Sequence, residues 1–207
     1  PDGKRIAFSS DAGGTGPAGD PNYDLFVIRA DASGLRRLTD STAYDMYPAW
    51  SPDGQRLAFM RNAQDKDDGV YVQNADGTGT PQLVIGREGD GNWVNPNSWT
   101  KDGGLFVTRL MGGRTSILYV PVPASGAGPG KARALRTNSY TERDAQISPD
   151  GRFLAFESDE SGKMEVYVAA WGADGLQGRP MMVSSGGGGP GIDWAADSRR
   201  LFFGTPE

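Results

Sequence analysis

The stretch WSPDGQRLAF at residues 50–59 joins a turn to a β-type run, and close copies of it recur along the chain. The copies read PDGKRIAF at 1–8, WTKDGGLFV at 99–107, ISPDGRFLAF at 147–156 and WAADSRRLFF at 194–203. Their anchor residues, spaced by 51, 49, 48 and 47 positions, are Asp2, Asp53, Asp102, Asp150 and Asp197. A near-constant period of this length is typical of repeat architectures, in which each repeat is one supersecondary unit.

Each unit contains four short β-type runs separated by polar, glycine-rich breaks. The anchor run is followed by a second run such as DLFVI at 24–28 or EVYVA at 165–169, a shorter third run, and a fourth that ends on Trp50, Trp99, Ile147 or Trp194. Aliphatic and aromatic runs of this length favour strands, and no apolar pattern of helical period extends over three turns. The sequence therefore predicts an all-β fold, a β-propeller whose blades are four-stranded antiparallel sheets.

The order of the runs bears on the number of blades. Both ends of the chain fall on the second strand of a unit, so residues 1–207 hold about four blades plus one strand, as a single propeller domain or a partial propeller. A closed four-blade ring needs no fifth copy of that strand. Two alternatives stay open: a part of a larger ring, or a four-blade ring with one strand displaced.

The composition excludes several kinds of chemistry. The chain has no histidine and no cysteine, so a Ser-His-Asp site, a CxxC pair and a histidine-ligated metal cannot lie within it. The net charge of −5 argues against nucleic acid as a partner, which would select a basic surface. No apolar run reaches the length of a membrane span, and no signal peptide is visible in these residues. We expect neither a cofactor nor direct membrane insertion.

The phrase SPDG(K/R)x(I/L)AF, followed by (D/E)xYV and by a third strand such as SGLRRLT at 33–39, closely resembles the TolB-like propeller repeat. The resemblance covers essentially the whole chain. Such repeats occur in the periplasmic TolB protein, in propellers of prolyl-oligopeptidase-like hydrolases and in extracytoplasmic domains of bacterial serine/threonine kinases. The resemblance implies a ring of six or more blades and a periplasmic or otherwise extracytoplasmic location. It implies no particular function, because one fold hosts many functions.

Three sets of residues that could suggest a site are interpreted as structural. Ser51 and Ser148 of the SPDG phrases are predicted to lie in β-turns. The tryptophans at the ends of the fourth runs are predicted to pack in the core. The carboxylates Asp65, Asp67 and Asp68 are weak calcium candidates, because their spacing differs from that of an EF-hand loop and favours a solvated turn.

The segments that precede the innermost strands are the better candidates for a binding site. In a propeller these segments surround one mouth of the central channel, and function concentrates in loops that a rigid scaffold holds. Variable polar and aromatic residues lie there between constant repeat residues, as expected of a recognition surface. The binding candidates are Tyr44, Asp45, Tyr47, Trp93, Asn95, Asn97, Tyr140, Glu142, Arg143 and Asp144.

The function hypothesis is a non-catalytic scaffold that binds a protein or peptide through these channel-mouth segments, with a carbohydrate as a second partner class. The first alternative is the substrate-gating propeller of a prolyl-oligopeptidase-like serine hydrolase, whose catalytic residues would lie outside this stretch because it has no G-x-S-x-G motif. The second alternative is the extracytoplasmic sensor domain of a bacterial serine/threonine kinase.

Overall fold

The computed structural model describes residues 2–12, 14, 19, 21–63, 68–87, 93–123 and 128–205. Seventeen β-strands form in this part of the chain, which contains no helix. The strands make five consecutive antiparallel sheets, here numbered I to V. The prediction of an all-β fold built from four-stranded antiparallel sheets is confirmed.

The sheets follow the order of the repeats. Sheet I contains β1 (Arg5–Ser10), β2 (Asp24–Arg29) and β3 (Arg36–Arg37). Sheet II contains β4 (Tyr44–Trp50), β5 (Arg56–Asn62), β6 (Gly69–Asn74) and β7 (Gln82–Gly86). Sheet III contains β8 (Val94–Trp99), β9 (Gly104–Met111), β10 (Arg114–Pro121) and β11 (Arg133–Ala134). Sheet IV contains β12 (Glu142–Ile147), β13 (Phe153–Ser158), β14 (Glu165–Gly172) and β15 (Gly175–Met182), and sheet V contains β16 (Gly189–Trp194) and β17 (Leu201–Gly204).

Consecutive sheets pack side by side through their first strands. Strand β4 contacts β8, β8 contacts β12, and β12 contacts β16. Within the described residues, every extensive contact between sheets joins sheets that are neighbours in the chain. This is the arrangement of propeller blades, with the first strand of sheets II to V innermost, whereas β1 of sheet I corresponds to the second strand of its repeat.

The SPDG phrases form the turns between the first and second strands. The Ser51 hydroxyl donates to Oδ1 of Asp53 at 2.6 Å and accepts the backbone N–H of Arg56 at 2.9 Å. Ser148 makes the same pair of bonds with Asp150 and Phe153. Gly54 and Gly151 close these turns at φ of 67° and 80°, in the left-handed region that only glycine adopts without strain. Both serines are buried, which supports the turn interpretation over a nucleophile.

The second strands present a large face to one neighbour and a small face to the other. Leu57 packs against Val27 of sheet I, whereas Ala58 packs against sheet III. Leu154 and Phe156 face sheet III, and Ala155 faces sheet V. Small side chains therefore meet larger ones at the junctions of sheets II with III and IV with V, whereas at the junction of sheets III and IV Phe106 packs against Leu154 and Phe156.

The tryptophans connect the inner strands. The indole of Trp99 donates to the carbonyl of Ala49 at 3.0 Å, and that of Trp194 donates to the carbonyl of Gln146 at 2.9 Å. At the junction of sheets III and IV, where Ile147 replaces tryptophan, the Ser98 hydroxyl donates to Ala145 O at 2.7 Å and accepts Ile147 N–H at 3.0 Å. Each of these three junctions is therefore closed by a side chain bonded to backbone.

Candidate functional site

The structure corrects the predicted placement of most binding candidates. Trp93 and Tyr140 do lie in segments that precede inner strands. The other eight are strand residues: Tyr44, Asp45 and Tyr47 in β4, Asn95 and Asn97 in β8, and Glu142, Arg143 and Asp144 in β12. Their polar character suggests a loop, but their backbone groups pair with the second strands, and the inner edge of a propeller sheet tolerates polar side chains.

The inner strands are bulged at one repeat position. Tyr47 and Asp144 have φ of 57° and 55°, and Gly191 has 93°, at places where the pairing with the second strand shifts register. Sheet III has Pro96 at this position, which cannot adopt positive φ. Non-glycine residues with positive φ are strained and cluster at functional sites, so Tyr47 and Asp144 are the positions of greatest interest on the inner strands.

Asp45 supports the site from within. Its side chain is fully buried, and Arg61 donates from Nε and Nη2 to its two carboxylate oxygens at 2.7 Å each. Arg61 also lies over the rings of Phe59 and Tyr71. Burial raises the pKa of Asp45 despite the arginine beside it. Asp45 therefore orders β4 against β5, and its carboxylate is buried instead of lying on the surface.

Glu142 occupies the same repeat position in β12 and is also buried. Its Oε1 accepts a hydrogen bond from Asn138 Nδ2 at 3.0 Å and lies 2.9 Å from Nη1 of Arg136, which pairs in turn with Glu160 at 2.6 Å. Burial raises the pKa of Glu142. This carboxylate anchors the segment between β11 and β12, and it too is not a surface residue.

A polar network spans the inner ends of sheets III and IV. Thr108 donates to Asn97 Oδ1 at 2.8 Å and accepts the backbone N–H of Asp144 at 3.2 Å. Arg143 donates to the buried Glu157 at 2.6 Å. Burial raises the pKa of both Asp144 and Glu157. Asn95 and Glu157 each keep one buried oxygen without a hydrogen-bond partner in the described part of the chain.

Exposed aromatic residues lie just before the inner strands and, in the case of Tyr47, in the middle of β4. Tyr47 is 56% exposed, and Trp93 and Tyr140 are 38% exposed each. Tyr23, which the sequence analysis missed, is 39% exposed, and its ring centre lies 6.4 Å from that of Tyr44. The sequence feature that points to Tyr23 is its position directly before β2. Strand β2 starts at the same end of the sheets as β4, so Tyr23 lies near Tyr44.

An open hollow of about 320 Å³ lies beside this aromatic pair. Pro21, Tyr23, Tyr44 and Met46 line it. The backbone N–H of Asp45 donates to the carbonyl of Tyr23 at 2.7 Å, which joins sheets I and II at this point. We name the set of Tyr23, Tyr44, Trp93 and Tyr140 near the starts of these strands, with Tyr47 further along β4, the aromatic mouth.

The weak calcium candidates do not form a described site. Asp65 and Asp67 lie outside the described residues. Asp68 accepts the backbone N–H of Ala63 at 2.7 Å and pairs with Arg87 at 2.9 Å. The described part of the chain contains no group of three carboxylates placed to hold a metal ion. It also contains no helix long and apolar enough to cross a membrane.

Comparison with known proteins finds relatives that agree with the resemblance of the repeat to TolB-like propellers. No family model matches the chain. A TolB homolog from Chlorobium luteolum is 26% identical over 166 residues, which are 80% of this chain and 34% of the homolog. The uncharacterized peptidase YuxL from Bacillus subtilis is 24% identical over 81% of this chain and 23% of the peptidase. The chain thus spans about a third or less of the length of these curated relatives.

Solved structures show the same fold. TolB from Acinetobacter baumannii superposes with a TM-score of 0.72 at 20% identity, covering 97% of this chain and 46% of that structure. A TolB from Agrobacterium tumefaciens gives 0.66 at 18% identity, covering 96% and 69%. Prolyl oligopeptidase B from Galerina marginata gives 0.62 at 15% identity, covering 94% and 29%. The fold is that of a TolB-like β-propeller.

Proposed function

We propose that this TolB-like propeller is a non-catalytic scaffold that binds a protein or peptide at its aromatic mouth. The observation that supports the proposal best is that exposed Tyr23, Trp93 and Tyr140 each lie just before a strand that starts at this end of the sheets, with exposed Tyr47 further along β4. Tyrosine and tryptophan are enriched among the residues that dominate binding energy at protein interfaces. They offer large contact area with only two side-chain torsions to fix.

The mouth is held rigidly from behind. The buried carboxylates of the bidentate Asp45–Arg61 pair and of the Glu142–Arg136 pair lie on the inner strands β4 and β12. Tyr47 has a positive φ, which is strained for a tyrosine. Such a backbone conformation persists only where the surrounding strand pairing holds it in place. A surface that is ordered before binding loses less entropy on complex formation, so this support favours recognition over a purely structural role.

The residues favour binding over catalysis within this stretch. The sequence contains no histidine or cysteine, and the hydroxyls of Ser51 and Ser148 are buried and bonded to aspartates.

From the TolB likeness we also infer an extracytoplasmic, periplasmic location. A reporter that is active only after export, fused to the full natural polypeptide, tests that inference, and reporter activity confined to the cytoplasm contradicts it.

The binding test begins with a peptide selected from a displayed random library on the purified chain. We expect Trp93→Ala and Tyr140→Ala each to weaken its binding about tenfold or more in fluorescence anisotropy, as removal of an interface anchor does. Leu35→Ala is the matched control, because Leu35 is exposed on a turn at the opposite end of sheet I. Unchanged affinity in both mouth variants, with unchanged thermal unfolding, contradicts the proposal. If an oligosaccharide displaces the selected peptide, a carbohydrate is the partner class.

A second function is favoured by the likeness to peptidases. The propeller of a prolyl-oligopeptidase-like hydrolase would present the same mouth to a substrate, while the nucleophile would lie elsewhere in the polypeptide. A fluorophosphonate probe then labels the full natural polypeptide but not this 207-residue chain. Absence of labelling in both leaves the scaffold as the proposed function.

A further inference from the structure

A small hollow of about 150 Å³ lies in the outer part of the junction between sheets III and IV. Strands β10 and β11 form one side of it, and β14 with the start of β15 forms the other. It has room for about five water molecules at about 30 Å³ each, so a ligand that fills it has few non-hydrogen atoms. The side chains that argue for a site here are Tyr119, Arg133, Trp171 and Asp174.

Two aromatic rings hold the cation of this hollow. The guanidinium carbon of Arg133 lies 4.8 Å from the ring centre of Tyr119 and 6.0 Å from that of Trp171. Both rings pack edge-on against the buried ring of Phe106. A guanidinium that stacks on a ring keeps its N–H donors at its edges. Within the described residues these donors make no hydrogen bond or ion pair, so Arg133 is ordered and its charge is available to an anion.

Asp174 supplies the opposite charge. It lies in the two-residue turn between β14 and β15, across which Gly172 pairs with Gly175. This turn is close to the guanidinium, because a Cβ at Gly175 would lie 3.5 Å from Nη1 of Arg133. In the described part of the chain, the Asp174 carboxylate pairs neither with Arg133 nor with another group. A cation and an anion that line one hollow without pairing leave space between them for a ligand that carries both charges.

The junction of sheets I and II carries similar charges without this arrangement. Arg36 is the counterpart of Arg133, but the residue paired with it across the strands is Val27. The nearby turn carries Asp76, whose carboxylate accepts the N–H and the hydroxyl of Thr78. Strand β6 has 6 residues and β14 has 8, so β6 ends before a counterpart of the tryptophan. The two rings and the unbonded carboxylate therefore distinguish the junction of sheets III and IV.

We infer that this hollow binds a small α-amino acid as a zwitterion. The guanidinium of Arg133 donates to its carboxylate, and its ammonium group donates to the carboxylate of Asp174. Charge-assisted hydrogen bonds of this kind are stronger than those between neutral groups. The rings that hold the guanidinium in advance reduce the entropy lost on binding. The site shares no residue with the proposed mouth and does not depend on it.

The test titrates the purified chain with L-alanine and with two analogues that each lack one charge. N-acetyl-L-alanine has no ammonium group, and L-alaninamide has no carboxylate. We expect calorimetry to show both analogues binding at least tenfold more weakly than L-alanine. Arg133→Gln lowers the affinity for L-alanine to that for L-alaninamide, and Asp174→Asn lowers it to that for N-acetyl-L-alanine. Arg36→Gln is the matched control and leaves the affinity unchanged.

The NMR signal of the Trp171 indole N–H locates the bound ligand. Trp171→Phe assigns this signal among those of the five tryptophans. We expect L-alanine to shift it in the wild type and not in Arg133→Gln, whose thermal unfolding is unchanged because the side chain is exposed. No binding of L-alanine at millimolar concentration, equal binding of L-alanine and its analogues, or an affinity that Arg133→Gln and Asp174→Asn leave unchanged overturns the inference.

Discussion

At the scale of single residues, the buried carboxylates are the main departure from sequence-based expectation. Asp45 and Glu142 occupy one repeat position near the start of polar inner strands, so they resemble surface ligands in sequence. Whether a carboxylate faces solvent or an arginine depends on contacts such as that with Arg61 across the strand pair or with Arg136 from the segment before β12. Neither arginine has a fixed spacing from its partner, so the pairing could not be predicted from the repeat.

The Asp45–Arg61 pair gives the first prediction. We expect Asp45→Ala to lower the free energy of unfolding by about 3 kcal/mol, because removing one partner leaves an uncompensated, largely buried charge. Asp40→Ala is the matched control: Asp40 pairs with Arg37 but its side chain is 86% exposed, so its loss costs at most about 1 kcal/mol. Urea unfolding measures both, and equal costs would contradict the supporting role of Asp45.

The strained bulge gives the second prediction. Tyr47→Gly removes the cost of a left-handed tyrosine, about 1–2 kcal/mol, and part of this gain is offset by the greater freedom of glycine in the unfolded chain. We therefore expect Tyr47→Gly to be more stable than Tyr47→Ala, while both bind the mouth-selected peptide more weakly than the wild type. If the alanine variant is the more stable one, the backbone at position 47 is not strained.

The turn carboxylate Asp150 gives a pH prediction. Hydrogen bonds from Ser148 and from Arg152 lower its pKa from 3.8 to about 2 in the folded state. A lowered folded pKa stabilises the protein above pH 3.8, and this contribution is lost as the pH falls through about 2. We expect Asp150→Asn to be less stable than the wild type at pH 7 and the difference to shrink below pH 4. A difference in urea midpoint that stays constant from pH 7 to pH 2 would contradict this linkage.

At the scale of strands and sheets, the sequence predicts most of the architecture. The anchors place every first-to-second-strand turn, and the alternation of Leu57 and Ala58 predicts the large and small faces. The sequence pattern does not predict the contacts at positions where one repeat departs from the others. Ile147 stands where tryptophan is expected, and the role of Ser98 in replacing the indole bond depends on the approach of two sheets, which no local pattern encodes.

Ser98 therefore gives the element-scale prediction. Ser98→Ala removes two hydrogen bonds between sheets III and IV and leaves the Ile147 N–H and the Ala145 carbonyl without this partner. We expect a loss of about 1–3 kcal/mol, the usual cost of an unsatisfied buried polar group. Ser161→Ala, in an exposed turn, serves as control and is expected to change stability by less than about 0.5 kcal/mol. Similar values for both serines would deny Ser98 its role at the junction.

At the scale of the whole molecule, sheets I and V each have a sheet neighbour on one side only among the described residues. Ile6 is 53% exposed on sheet I, and Phe202 is 56% exposed on sheet V, at positions equivalent to buried Leu57 and Ala58 of sheet II. Exposed apolar sheet faces promote association. The repeat predicts which side chains occupy these faces, but not what covers them.

The whole-molecule prediction concerns these two faces. We expect the double variant Ile6→Lys and Phe202→Lys to reduce concentration-dependent association of the isolated chain in sedimentation experiments. Thermal unfolding should change little, because both side chains are already more than half exposed. Association that the double variant leaves intact would place the contact elsewhere.

The tryptophan bonds between inner strands also have a direction along the polypeptide. Trp99 donates back to Ala49, and Trp194 donates back to Gln146, so each later sheet attaches to a carbonyl that was synthesised about fifty residues earlier. On a ribosome, the acceptor is already exposed from the exit tunnel when the donor emerges. Since folding during synthesis proceeds from the N-terminal side, the repeat is suited to vectorial folding, in which each new sheet docks onto the one formed before it.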